Sequence, residues 1–519
     1  MPVARAFAVS LLGLAGTIIE IEAEISSNLP SFVLVGLPDA SLSEARDRVR
    51  AAAQNSGLAL PGRRVTVNLS PASVPKRGAS FDLAIALAIL ASSGKVKPES
   101  VAMCIHIGEL GLDGSLRGVP GVLPAVLAAK SAGWAKIIVP IENLDEAGLV
   151  EGVSVFGAKD LAQVARFHGA EIDADALKRF VRGRPRPHRE HEADFDLSEV
   201  IGQDDAVDAL TLAAAGGHHM LMLGPPGVGK TMLAERLPSI LPDLTFEESL
   251  ETSALHSIAG TGGHKAISEL ASKRPFEAPH HTASLTSLIG GGASIPRPGL
   301  VSLANHGVLF LDEAPEFQRP ILEALRQPLE SGEVLISRTS GLARFPAKFQ
   351  LIMAANPCPC GKFAGNGRAC VCQSATRLAY LAKLSGPLLD RIDVRLRLQS
   401  TNPAQAALAR MGAKQVGRSS AEIRTRVMEA RDRSKLRLRD TPWSINSQVP
   451  GSYLRKHSRI DSEATKTIDK ALERGHLSMR GYDRCIRMAW SAADLAGRSK
   501  VLPEDVAKAA LLRGEDSSA

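Results

Sequence analysis

Polar and apolar residues alternate in two distinct rhythms along this chain. The segment Ile19-Glu20-Ile21-Glu22-Ala23-Glu24-Ile25 repeats every second residue, as a strand with one buried face does. Strand-like runs at Ile18–Ile25, Ser31–Val35, Arg64–Leu69, Ile137–Val139 and Val153–Phe156 are separated by helical patterns, notably Ser41–Ser56 and Phe81–Ser92. Residues 1–180 therefore predict a mixed α/β unit. Arg5 followed by the apolar stretch Ala6–Ile19 has the outline of a signal peptide. The alternation that continues it predicts a folded strand instead.

Residues 181–194 are polar and charged and carry two prolines, the composition of a linker. From 195 to 400 the rhythm changes to short apolar runs, Met220–Leu223, Val308–Leu311 and Gln350–Ala354, set between helical patterns. Such runs predict a parallel sheet covered on both faces. Residues 401–519 read as helical throughout, with one break at Asp440–Gly451 and no strand. No internal repeat is visible.

Composition narrows the class. Hydrophobic residues make up 45% and charged residues 23% of the 519, which excludes global disorder. Six cysteines are too few for a disulfide scaffold and fit a reduced, cytoplasmic setting. No apolar run approaches the ~20 residues of a membrane helix, so no membrane partner is expected. The net charge of +7 is uneven: residues 401–519 hold 23 Lys and Arg against 14 Asp and Glu, residues 1–400 hold 39 against 41. A basic C-terminal segment fits either a polyanionic partner or a solvated helical face.

The chemistry concentrates in the second block. Gly224-Pro225-Pro226-Gly227-Val228-Gly229-Lys230-Thr231 is a complete G-x-x-x-x-G-K-[ST], preceded by an apolar strand and followed by a helical pattern. Its glycines let backbone N–H groups curl around phosphates, Lys230 reaches the β/γ-phosphates, and the Thr231 hydroxyl ligates Mg²⁺. The expected cofactors are thus ATP and Mg²⁺. The run Val308–Leu311 ends in Asp312, suited to the Mg²⁺ shell, and Glu313, suited to activating the attacking water. Asn356, after the strand Gln350–Ala354, is placed to polarise that water; alone, Asn356-Pro357 is only a turn signal.

These elements in this order resemble the AAA+ ATPases. Leu384-Ser-Gly-Pro-Leu-Leu389-Asp390-Arg391-Ile392-Asp393 is similar to the arginine-finger segment of the branch holding magnesium chelatase and the replicative MCM helicases. Met479-Arg480-Gly481-Tyr482 is similar to that branch's sensor-2 arginine. Arg274-Pro-Phe-Glu-Ala-Pro-His280-His281, the run from Gly290 to Asp312, Val35-Gly-Leu-Pro-Asp39 and Ala492-Ala-Asp-Leu-Ala-Gly497 resemble the ComM (YifB) family of magnesium-chelatase-like bacterial proteins. The resemblance implies a hexameric motor that acts on single-stranded or branched DNA, a branch-migration helicase of natural transformation working beside recombination proteins. It also implies that Arg391 enters the neighbouring subunit's site and that Arg480 approaches the same phosphates from a C-terminal helical lid. Glu277, where a basic residue is usual, and Leu300, where Glu is usual, depart from the pattern; both are expected in the insert after the second helix, where they bear on any DNA contact more than on ATP hydrolysis.

Three further features remain. Arg338 and Arg344 flank Thr339-Ser340-Gly341 in a hairpin-like segment, Leu335–Phe345, and Pro279–Ile295 carries Gly290-Gly291-Gly292; each is either a DNA-contacting hairpin or a sheet edge. Cys358, Cys360, Cys370 and Cys372 form either a structural Cys₄ zinc site or a cluster of reduced thiols, C-x-C being tighter than the usual C-x₂-C. The first block resembles the Lon-protease-like, ribosomal-S5-type fold, with Ser80 in Pro75-Lys-Arg-Gly78-Ala-Ser80-Phe-Asp82 at the nucleophile's place. Leu123 and Ala125 occupy the positions that should supply the lysine base, so Ser80 reads as a structural residue and protease activity is not expected. Against an ATP-driven DNA motor stand a chelatase- or chaperone-like motor on a protein substrate, an ATP-dependent protease, and a switch without turnover.

Overall fold

The structure, a computed structural model, describes residues 3–36, 44–76, 78–180, 195–260, 267–292, 296–338, 341–363, 369–399, 418–457 and 460–514. The expected linker at 181–194 lies outside them. The N-terminal strands are β1 (Ala4–Leu12), β2 (Ala15–Ser26), β3 (Ser31–Val35), β4 (Arg64–Ser70), β5 (Ile105–His106), β6 (Glu109–Leu110), β7 (Leu116–Arg117), β8 (Lys136–Pro140), β9 (Ser154–Ala158) and β10 (Lys178–Arg179). All but the β6–β7 hairpin join one sheet in the order β10-β9-β8-β5-β1-β2-β4-β3.

The signal-peptide-like stretch is thus two antiparallel strands, turning at Gly13 with φ +66°. In β2, Ile19, Ile21, Ala23 and Ile25 face the core, while Glu20 and Glu22 face Arg5 at 3.0 and 3.4 Å. The helix Asp82–Ser92 is buried at every position, which is why apolar residues surround it instead of forming a stripe.

The second block contributes β11 (Met220–Leu223), β12 (Phe276–Glu277), β13 (Gly290–Gly291), β14 (Arg297–Pro298), β15 (Val308–Leu311), β16 (Glu333–Arg338), β17 (Gly341–Pro346), β18 (Gln350–Ala355) and β19 (Val394–Arg397). Five of them form a parallel sheet in the order β12-β15-β18-β11-β19. Met220, Met222, Ile352 and Ala354 pack on one face, Leu221, Leu309, Leu351 and Met353 on the other. Both faces are covered by packed apolar side chains, so the strands read as unbroken apolar runs. The strand β19 escapes that reading because Val394-Arg395-Leu396-Arg397 alternates at the sheet edge.

The C-terminal helices Ser420–Arg437, Gly451–His457, Ser462–Glu473, Met479–Leu495 and Pro503–Arg513 share a core with the sheet and with the helices Asp204–Gly216 and Lys230–Ile240. The expected break at 440–451 holds only a short turn, Asn446–Gln448. No described helix is long and apolar enough to cross a membrane.

The N-terminal unit is seated on the second block. Leu11, Leu12 and Leu14 pack against the cluster formed by β15, β18, β16 and β17. A methyl group on Gly13 would lie 2.4 Å from the Arg344 carbonyl oxygen, so the turn touches β17 backbone. On the helix Phe246–Ala259, the Ser257 carbonyl accepts from Gly121 N–H at 3.2 Å and the Ser257 hydroxyl donates to Glu146 at 2.5 Å.

Candidate nucleotide site

The phosphate loop follows β11, the strand flanked by β18 and β19. Gly227 (φ +78°) and Gly229 (φ +84°) take left-handed conformations that only glycine adopts freely, and the loop curls there before entering the helix Lys230–Ile240. The buried Val228 anchors the loop in the core, and its carbonyl accepts from Gln203 Nε2 at 2.6 Å. Backbone amides and a helix N-terminus aimed into one turn make a site for an anion.

Lys230 Nζ donates to the carbonyls of Gly224 (2.6 Å) and Pro225 (2.9 Å) and to Asn356 Oδ1 (3.0 Å). Burial lowers its pKa, while the nearby Asp312 and Glu313 oppose that shift. The Thr231 hydroxyl donates to Asp312 Oδ2 at 2.7 Å, bringing together the hard oxygen donors a Mg²⁺ ion requires. Because β18 lies between β11 and β15, Asn356 stands between the phosphate loop and the Asp312-Glu313 pair. Glu313 has φ +50°, a strained conformation for a residue with a Cβ, stabilised by its N–H donating to Asp312 Oδ1 at 2.8 Å. Its half-exposed carboxylate lies 3.6 Å from His281 Nδ1. The sequence reading missed this histidine contact and Gln203; the signal for the latter was a polar residue immediately before the helix Asp204–Gly216.

Arg391 and Arg480 lie elsewhere. Arg391 donates to Pro387 O at 2.5 Å and pairs with Glu330, while Arg480, largely exposed, comes to 3.8 Å from Asp390. Their turn abuts the N-terminal end of β11: the N–H groups of Asp393 and Val394 donate to His219 O at 3.1 and 3.0 Å. Gly224 is five residues further, about 17 Å at ~3.3 Å per residue. The two arginines line an open cavity of about 780 Å³ together with Arg274, Lys348, Arg484 and Arg487, and no residue of the phosphate loop reaches it.

The four clustered cysteines do meet. Cys358 Sγ lies 3.4 Å from Cys360 Sγ and 3.6 Å from Cys370 Sγ, and all four sulfurs fall within 4.8 Å of one another. A tetrahedral zinc with Zn–S of about 2.3 Å needs sulfurs roughly 3.8 Å apart, so this donor set fits the ion. Backbone N–H donation from Lys362 pulls the Cys360 thiol down to about 6. The loop touches the phosphate site, since a methyl on Gly361 (φ +73°) would lie 2.7 Å from Pro226 Cγ.

Of the two hairpin candidates, β16 and β17 pair from Glu333↔Pro346 to Arg338↔Gly341, with Val334, Ile336, Ala343 and Phe345 buried and Arg338 and Arg344 exposed. Thr339 and Ser340 lie outside the described residues. The second hairpin pairs β13 with β14, close to the first at Gly290 and Ile336. Glu277 and Leu300 both lie in the segment between the helix Phe246–Ala259 and β15. Glu277 is on β12, paired with Leu309, and burial raises its pKa; Leu300 opens a helix packed on the core. Ser80 sits in a 3₁₀ turn beside a small cleft that includes Ala125 and Arg297, and no lysine among the described residues lines it. The nearby Lys76 is buried and donates to the Pro71 carbonyl.

Comparison with known proteins agrees with this layout. Residues 196–406 match the family described as magnesium chelatase, subunit ChlI; residues 21–143 match subunit ChlI of Mg-chelatase, and residues 417–513 its C-terminal part. An uncharacterised protein of Mycobacterium tuberculosis is 46% identical over 513 residues, 99% of each chain. Uncharacterised protein YifB of Escherichia coli is 40% identical over 484 residues, 93% of this chain and 92% of its own. Competence protein ComM of Haemophilus influenzae is 39% identical over 509 residues, 98% and 97% of the two chains. With a phosphate loop, paired acids and an asparagine converging at the carboxyl ends of a parallel sheet, the chain belongs to the magnesium-chelatase-like ComM/YifB family of AAA+ ATPases.

Proposed function

We propose that this protein is a cytoplasmic, hexameric ATPase that couples hydrolysis to movement on DNA, a helicase promoting branch migration as incoming strands are recombined. The observation that carries the reading is the division of the site. The phosphate loop, Asp312, Glu313 and Asn356 gather at one end of β11, and Arg391 and Arg480 at the other. Arginines so placed serve the phosphates of the next subunit, and a head-to-tail contact repeated around an axis closes into a ring.

In this mechanism the loop amides and Lys230 hold the β- and γ-phosphates. Thr231 and Asp312 would hold Mg²⁺, which supplies charge neutralisation on the phosphates. Glu313 takes the proton of the attacking water, Asn356 orients that water, and the neighbour's Arg391 and Arg480 stabilise charge on the departing phosphate. The chain works as an N-terminal unit (1–180) of Lon-protease-like type without its Ser–Lys dyad, a linker (181–194), an AAA+ core (195–400) and a helical lid (401–519). The four cysteines hold a structural zinc, four thiolates leaving no open position for catalysis. Support for DNA comes from the relative named a competence protein, the exposed Arg338 and Arg344, and the basic C-terminal segment. Arginine contacts of this kind give sequence-independent, salt-sensitive binding.

The test is steady-state ATP hydrolysis with no DNA, single-stranded, duplex and four-way-junction DNA, for the native protein and Glu313→Gln. Stimulation by single-stranded or branched DNA that disappears in the variant supports the reading. Turnover indifferent to every DNA overturns it and directs the search to protein substrates.

A further inference from the structure

A buried chain of polar groups runs from directly behind Arg391 into the C-terminal helices. Arg484 donates to the Arg391 carbonyl at 3.1 Å and pairs with the Asp393 carboxylate. Asp393, 1% exposed, also meets His218 Nδ1 at 3.1 Å. His218, fully buried, pairs through Nε2 with Ser491 Oγ at 2.8 Å. Asn446 donates to Ser491 Oγ (3.0 Å) and Asp494 Oδ2 (2.9 Å), and Arg437 closes the chain on Asp494 at 2.8 Å. Arg513 holds a second carbonyl of the turn, Ile392 O, at 2.6 Å.

Burial alone would raise the Asp393 pKa; the Arg484 charge and the His218 bond overcome it and hold the carboxyl well below the usual range. Ion pairs at such depth add little net stability over apolar packing, because desolvation cancels most of their attraction. What they supply is a single geometry. Here that geometry ties residues 391–393 to the helix Met479–Leu495, whose first turn carries Arg480 and whose second carries Arg484.

We propose that Arg484, braced by Asp393 and His218, is a positioning residue. It locks the turn bearing Arg391 to the helix bearing Arg480, and presents both guanidinium groups to the neighbouring subunit as one rigid unit. This rests on the reading of Arg391 as acting in trans.

Subunit mixing of the full chain separates positioning from general damage. Arg484→Ala keeps its own phosphate loop and loses a well-placed Arg391, whereas Lys230→Ala loses the loop and keeps the arginines. Alone, Arg484→Ala is expected to lose at least ~10-fold in kcat with KM for ATP within about twofold of native, as loss of a group acting in the transition state does. Mixed one to one with Lys230→Ala, activity should return to about a quarter of the native rate, the share of head-to-tail interfaces joining an intact loop to intact arginines. Arg391→Ala mixed with the same partner is the control. If Arg391→Ala is rescued and Arg484→Ala is not, or if Arg484→Ala is fully active alone, the positioning role is wrong while the trans reading stands. If Arg391→Ala is not rescued, the trans reading falls and takes the positioning role with it. Should thermal melting show Arg484→Ala unfolded, Arg484→Lys carries the test. It keeps the charge but reaches one acceptor instead of two, so a smaller kcat loss with the same rescue is expected.

Discussion

Asn356 ties one side chain to two parts of the proposed mechanism. Its Oδ1 accepts from Lys230 at 3.0 Å, which ties the lysine to the end of β18, and in the proposed mechanism the same side chain orients the attacking water. Asn356→Ala should therefore lower kcat about 100-fold, within the range typical of proton-transfer and water-positioning groups, with a smaller change in ATP affinity. Single-turnover hydrolysis beside nucleotide binding separates the two. In the N-terminal unit, His168 is buried, with Nδ1 2.9 Å from Ser100 Oγ and Nε2 3.0 Å from His106 Nε2. Desolvation pushes its pKa down to about 4. A depressed histidine favours the folded state above its unfolded value, near 6.5, and that contribution is lost as pH falls toward 4. A melting-temperature drop between those values, corresponding to about 3 kcal/mol from this group, should shrink in His168→Asn. Residue types alone located the loop, the acids and the four cysteines. They were silent on Gln203, Glu330 and Arg484, whose roles depend on partners far away in the chain: 25, 61 and 93 residues for their respective contacts.

At the scale of elements, buried strands were the most legible. Met220–Leu223 and Val308–Leu311 were bounded correctly because both faces are covered and a parallel strand then has no polar positions. The edge strands were not: β12 has two residues, and β19 alternates Val and Leu with arginine. The cysteine loop is the element whose chemistry extends furthest, because it leaves Asn356 and returns over Pro226. One zinc per chain is expected by elemental analysis. Its loss in Cys360→Ser, with Cys358→Ser as a second variant, should lower ATP affinity and melting temperature together. Gly361→Ala tests the same contact without touching the sulfurs. A left-handed φ costs an alanine about 1 kcal/mol, and its methyl would press on Pro226, so ATP binding should weaken with zinc retained. Unchanged ATP affinity in that variant would show that the loop and the phosphate site are independent.

Across the whole molecule, the N-terminal unit and the ATPase core are joined by apolar packing and by hydrogen bonds between Gly121, Glu146 and Ser257. The contact reaches β17 through Gly13, adjacent in space to the strand that carries Arg344. Gly13→Ala, with its methyl forced onto a carbonyl oxygen, should loosen this junction. Faster hydrogen exchange in β17 and in the helix Phe246–Ala259 is expected, with the distant phosphate loop unaffected. Neither junction nor cavity was visible in the linear pattern, since each brings together residues from units that the sequence presents as separate blocks.

The seat beneath Leu11, Leu12 and Leu14 has a practical consequence for anyone shortening this protein. A fragment beginning at the ATPase core would carry that greasy recess open to water, and sticky recesses of this kind drive self-association. Such a fragment should express as aggregate, and replacing the missing leucines' contact residues with polar ones should return it to solution.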